Sequence, residues 1–358
     1  VRNMAPHRQY DVLERSPDAE IKPPQGKAVI VWGNVVMFAL LHLGALYGLY
    51  LAFYAKWQSI VVVFVTLELS AVGVTAGAHR LWTHRAYKAK LPLRIFLMLC
   101  NSMALQVRTL WSYNYIQCLG IYGRTDCQSY ATVLERLNNL CSSPNCVDSV
   151  YKWSRDHRVH HKFSETDADP TNIKRGLFFS HIGWLMSKKH PELIRKGKTI
   201  DCSDLLQDPV LVFQRRYYVP LATAFCYILP TVIPHWLFGE SYWNAFFVCS
   251  MFRYVLVLHA TWLVNGVAHL WGSRPYDKSI APAENLFVSA MAAGEGFHNY
   301  HHAFPWDYST SELGWKWNTT TMFIDAMAAL GLAYDLKSAP KSMVQDRINR
   351  TGDGMKKD

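Results

Sequence analysis

The sequence predicts an all-α integral membrane protein with four transmembrane helices, on three observations. Four long blocks are almost free of charge, Lys and Arg crowd beside one end of each, and three histidine clusters fall in those same basic stretches. Residues 28–55 carry no charged side chain, 58–78 only Glu68, 217–238 none and 243–264 only Arg253. Each block reaches the roughly 20 apolar residues that a helix needs to cross a bilayer core. The links near Lys56 and Glu240 are too short for anything but two hairpins. Basic residues are dense before Ala28, between Ala78 and Tyr217, and after Leu270, so the positive-inside rule puts both termini and the central region in the cytosol.

In chain order, residues 1–27 are polar, with Pro17, Pro23 and Pro24, and read as a cytosolic tail ahead of a membrane domain over 28–358. After the first hairpin, Leu91 to Gln106 is apolar but too short to span, so it is expected to lie at the interface or in the core. Tyr151 to Lys162 has a helical pattern, and the turn chemistry of Asp167-Ala-Asp-Pro170 ends it. The formal charge is +10, but the basic residues flank membrane blocks and no nucleic-acid motif is present, so no nucleic-acid partner is expected. A basic cytosolic face suits lipid headgroups, a phosphate-bearing substrate or an acidic protein. The eight cysteines show no metal spacing and are expected to be reduced.

The chemistry is carried by histidine. His157, His160 and His161 stand at i, i+3 and i+4, a claw on one side of a helix, and His298, His301 and His302 repeat those offsets. His79 and His84 form a third cluster, and Asn265 with His269 makes an i, i+4 pair at the end of the last apolar block. A polar residue there is costly to bury without a partner or a metal. Nine imidazoles without a thiolate argue against structural zinc and iron–sulfur clusters and leave iron, copper or catalytic zinc. Haem would use one or two of them, and one ion accepts four to six ligands, so two metals sharing ten positions fit best. Two irons in an all-imidazole site on the cytosolic side would be suited to activating dioxygen. The carboxylates Asp156, Asp167, Asp169 and Glu295 are expected to fix histidine tautomers; Glu165 is a further candidate for such an outer role.

The wording around these clusters, HRLWTH, RDHRVHHKFSETDADP, HATWLVN, NGVAH and GEGFHNYHH, with FQRRYY and RPYDK between them, resembles the membrane fatty acyl-CoA desaturases, insect members in particular. The resemblance runs from about Lys22 to Asp353. It implies a mushroom-shaped protein of four membrane helices capped by a cytosolic helical domain holding a histidine-rich di-iron site, in the endoplasmic reticulum membrane. By motif match, His79, His84, His157, His160, His161, Asn265, His269, His298, His301 and His302 would hold two Fe2+ ions. Arg155, Asp156, Lys188, Lys189 and Trp262 would contact the coenzyme A part of a long-chain acyl-CoA, with the Trp262 face open to adenine. Trp153 and Thr261 would shape the bend of the acyl tunnel, and Leu67 and Ala71 would lie near its closed end. Cytochrome b5 and its reductase would supply electrons for the reduction of O2. The histidine boxes alone are shared with membrane di-iron hydroxylases.

One block departs from the family. Residues 107–147 have no sustained period and stand where family members pass almost directly from a residue like Gln106 to a segment like Asp148-Ser-Val-Tyr-Lys-Trp153. Either this is translated non-coding sequence or it is a real cytosolic loop, and in the latter case an acyl-CoA-binding homologue of impaired activity becomes the alternative. Thr171 replaces a frequent histidine after Asp-Ala-Asp-Pro, and Asp148 a frequent asparagine.

Overall fold

A computed structural model of the chain describes residues 26–106 and 149–354. The remainder of the expected tail and the whole of the 107–147 block lie outside the described residues. The fold is helical, apart from a two-residue antiparallel pair, β1 (Lys88–Ala89) with β2 (Ala333–Tyr334).

Four helices are long and apolar enough to cross a membrane: α1 (Trp32–Ala52), α2 (Trp57–Thr83), α6 (Tyr218–Phe238) and α7 (Tyr242–Leu270). Their count and order match the four apolar blocks. Between α2 and α6 stand α3 (Leu91–Ala104), α4 (Val150–Phe163) and α5 (Leu177–His181), and after α7 come α8 (Leu286–Met291), α9 (His298–Ala303) and α10 (Thr319–Ala329). Leu91 to Gln106 is thus the short helix expected, packed on α2 and α6. The two hairpin turns meet, because Glu240 accepts hydrogen bonds from the Lys56 backbone N–H (2.8 Å) and the Ser59 hydroxyl (2.9 Å). The histidines therefore sit at the opposite end of the bundle.

The differences from the expected boundaries are functional. α2 and α7 run to Thr83 and Leu270, beyond the predicted ends at 78 and 264, because each continues past its apolar block to carry ligands. The continuation of α2, Gly73–Thr83, winds as a wider π-helix. A Cβ at Gly73 would stand 2.2 Å from the Asn101 nitrogen, so glycine lets α3 come close.

Three arginines with no exposed surface to speak of (0%, 1% and 0%) clamp the elements: Arg80, Arg158 and Arg253. Arg253 of α7 donates to Ser70 Oγ (3.1 Å), Met103 O (3.0 Å) and Cys226 O (2.8 Å), joining α2, α3 and α6. A charge inside a bundle is tolerable only when so satisfied. Arg158 of α4 reaches Thr83 O (3.2 Å), Trp82 O (2.8 Å), Asp201 O (2.8 Å) and Asp204, which fixes α4 against the end of α2. The four described cysteines, Cys100, Cys202, Cys226 and Cys249, are free and buried.

Candidate metal centre and substrate cavity

His79 and His84 are five residues apart, which on an α-helix places them about 140° round from one another. The π-winding removes that problem. The His84 N–H donates to His79 O (3.1 Å), the wider i→i+5 turn, and the ring centroids come within 4.7 Å.

Each claw divides in two. On a helix, i+4 lies about 40° to one side of i and i+3 about 60° to the other, so a claw can straddle two centres. His157 and His161 join His79, His84 and His301; His160 joins His269, His298 and His302. Within each group the donor nitrogens all lie within 4.8 Å of one another. His301 Nε2 is 3.0 Å from both His79 Nε2 and His161 Nε2, and His298 Nε2 is 2.9 Å from His269 Nε2. The reading of a claw as one shared face is thereby refined: its two histidine spacings fall in different groups.

The arrangement fits two metal ions. Ring nitrogens point at one another in an apolar interior, and a neutral imidazole has only one proton to offer. Both nitrogens of buried His84 and Nε2 of His160 have no hydrogen-bond partner, and a bound cation would take one nitrogen of each ring. Desolvation first, and neighbouring imidazoles second, hold His84, His161, His301 and His302 well below the usual histidine range, so they stay neutral and keep a lone pair. His79 Nδ1 donates to Glu295 Oε2 (2.8 Å) and His160 Nδ1 to Asp169 Oδ1 (2.8 Å), turning each Nε2 lone pair inward. Despite its burial, Glu295 is held down to about 2 by His79 and Arg80.

Of the carboxylates expected to orient histidines, Asp169 and Glu295 do so. Asp156 and Asp167 do not take that role: Asp156 binds Arg155 (2.7 Å) and Lys189 (2.7 Å), and Asp167 binds Arg175 (2.6 Å). Glu165 accepts from the Ala281 backbone (2.8 Å) and likewise stands apart. Thr171, in place of the frequent histidine, caps the Asp169 turn through its N–H (2.9 Å).

A cavity of 350 Å³ runs beside α2 and α7 to the first metal group, lined by Leu67, Ala71, Val74, His79, Trp153, His157, Thr261 and Asn265 among others. A second pocket shares Trp153, His157, Thr261 and Asn265 with it and continues to Asp156, Trp184 and Trp262. Trp153 and Thr261 therefore stand where the two meet, with Trp153 stacked on His157 at 4.9 Å and Thr261 bonded to Gln106 (3.3 Å). A third, of 210 Å³, contains Lys27, Arg175, Lys188 and Lys189. Trp262 is 2% exposed and forms part of the wall of the second pocket, with the His42 ring 6.5 Å away, centroid to centroid.

Residues 130–318 match the fatty acid desaturase family. The chain is also 49% identical over 345 residues to the acyl-CoA Delta-9 desaturase of Acheta domesticus, covering 94% of this chain and 85% of that protein. The chain belongs to the fatty acid desaturase family. Over 335 residues this desaturase is 50% identical to the stearoyl-CoA desaturase of Homo sapiens (92% of this chain, 81% of the relative). It is equally similar, 50% over 327 residues, to the acyl-CoA Delta12-desaturase of Acheta domesticus (91% and 80%). Relatives named for different double-bond positions thus match it alike, and overall identity does not select between them.

Sequence reasoning passed over Arg80 and Asn318, which complete the support of the centre. Arg80 grips Glu295 (2.8 Å), Thr321 Oγ1 (2.9 Å) and Asn318 Oδ1 (3.2 Å), tying the first metal group to α10. The signal was the arginine inside HRLWTH, a charge in the middle of a ligand-bearing helix.

Proposed function

We propose that this desaturase inserts a double bond into the acyl chain of a long-chain acyl-CoA, using two irons held by the nine histidines with Asn265 completing the set. The division of the histidines into two close groups, beside an apolar cavity, is the observation that carries the reading. The irons would supply dioxygen reduction and hydrogen removal from unactivated methylenes, chemistry that no side chain provides. Stoichiometrically, –CH2–CH2– with O2, two electrons and two protons gives –CH=CH– and two waters. The electrons must arrive from outside one at a time, and the basic cap suits an acidic carrier such as cytochrome b5, recharged by its reductase.

The chain's own residues bind, bend and shield. Lys188 and Lys189 would neutralise coenzyme phosphates, with Asp156 holding Lys189 and Arg155 in place. Trp153 and Thr261 would turn the acyl chain past the metals, and Leu67 and Ala71 would limit its depth. The apolar lining keeps water from the reacting carbons. The basic stretches flanking α1, α2, α6 and α7 support a cytosolic location of both ends and of the cap, in the endoplasmic reticulum membrane. The tail 1–27, the membrane domain 28–358 and the insertion 107–147 remain the proposed division of the chain.

Expression in a desaturase-deficient yeast, followed by fatty-acid methyl ester analysis, tests the reading with the full chain and with a version lacking residues 107–147. A new alkene is expected. A hydroxy acid without alkene, or no new product from either version, overturns it.

A further inference from the structure

His42, His181 and His259 belong to neither metal group, yet they meet in a line behind the pocket wall. His42 Nδ1 lies 2.6 Å from Phe38 O, His42 Nε2 lies 3.0 Å from His259 Nε2, and His181 Nε2 lies 3.0 Å from His259 Nδ1. The line joins α1, α7 and α5. We propose that these three histidines are a positioning chain that sets the Trp262 wall and the segment after α5 for binding the coenzyme end of the substrate. This rests on the acyl-CoA reading of the pocket given above.

The direction of the chain follows from the hydrogen count. A carbonyl only accepts, so His42 carries its proton on Nδ1 and offers Nε2 as acceptor. His259 must then donate from Nε2 and accept at Nδ1, which takes the Nε2 proton of His181. Three neutral rings supply the protons of these three bonds, and His181 also meets the Trp262 backbone. The chain uses both nitrogens of His259, so it is not a chelate for one ion.

Its position links it to the pocket. The Trp262 ring is 5.1 Å from His259 and 5.8 Å from His181, centroid to centroid, and stacks on His42 at 6.5 Å. Downstream of His181, Trp184 and Leu185 line the same pocket as Trp262, and Lys188 and Lys189 line the basic one. Three imidazoles among apolar neighbours are costly unless their hydrogen bonds are made, and apolar side chains would have filled the space at lower cost. What imidazole adds is a fixed orientation of three elements.

The test uses the full chain and its His259→Leu and His259→Gln variants, with a radiolabelled saturated C18 acyl-CoA. Leucine breaks both links; glutamine restores a donor toward His42 and an acceptor toward His181. His259→Leu is expected to raise both Kd and KM about tenfold with kcat within twofold, and His259→Gln to return both most of the way. Metal content equal to that of the unaltered chain shows that the leucine variant is folded. Unchanged Kd in His259→Leu, or loss of kcat and metal together with Kd unaltered in the metal-bearing fraction, overturns the proposal. An unaltered chain that binds the ligand without turnover refutes the catalytic reading while Kd still tests the chain; one that does not bind it overturns both.

Discussion

Replacing Glu295 with glutamine perturbs the metal centre without touching a ligand. Glu295 takes the Nδ1 proton of His79 at 2.8 Å and pairs with Arg80 at 2.8 Å, in a site where its own exposure is 7%. Glutamine keeps the shape, and its carbonyl can still accept from Arg80. Its amide then faces the His79 N–H donor to donor, so His79 loses the partner that holds its Nε2 lone pair toward the first group. Loss of such an outer-shell partner is expected to weaken metal affinity about 10- to 100-fold. Arg80 loses its only counter-charge among the described contacts, and breaking a buried pair costs about 3–5 kcal/mol. Acceptance by Tyr308 O (2.9 Å), Thr321 and Asn318 softens this, so about 3 kcal/mol is expected, the lower end of that range. Metal retention under a chelator series, read by elemental analysis, and thermal unfolding of the same preparation measure the two effects separately. Metal retention within twofold of the unaltered protein would refute the argument that Glu295 orients a ligand.

Further expectations concern other parts of the molecule. His157→Ala and His160→Ala act on different groups, so each is expected to lower the metal content toward one ion per chain, and the double substitution toward none; equal loss of both ions in each single variant would contradict the division of the claws. Ala71→Leu adds bulk to the cavity wall and is expected to shift the ratio of turnover on long against shorter acyl chains by about 5- to 160-fold toward the shorter, from an overpacking penalty of about 1–3 kcal/mol, read by product analysis on mixed chain lengths. Asp204, gripped by Arg158 and Arg85, is held below the usual carboxylate range despite the opposing desolvation, so its contribution to stability is present above about pH 4 and lost as pH falls below it. Asp204→Asn should accordingly flatten the acid limb of a stability profile measured by thermal melting. Deleting residues 107–147 is expected to preserve or raise alkene formation in yeast, and abolition of activity by the deletion would show that the block is needed.

The bundle was legible because bilayer thickness acts on one chain segment at a time: runs of sufficient length with at most one charge specify α1, α2, α6 and α7 without any neighbour. The ligands were legible because a metal needs many imidazoles, and nine at helical offsets have few other uses. Beyond that, long-range packing decided. Which histidine serves which ion depends on helix rotation, and the separation of His160 from His157 and His161 follows from the way α4 is clamped by Arg158 to the end of α2. The π-winding that brings His84 round to His79 begins at Gly73, where the helix comes close to α3. Among five acids close in sequence to the claws, Asp169 and Glu295 bond a clustered histidine within the described residues, since a carboxylate's partner is set by whatever the fold sets beside it. The line of His42, His259 and His181 had no signal at all, because its meaning arises from three elements more than a hundred residues apart at the extremes. Sequence alone therefore determined the class of the protein and the histidines that are candidates to hold metal; tertiary structure decided their division into two groups, the acids that orient them and the path of the cavity, because those are properties of relative position.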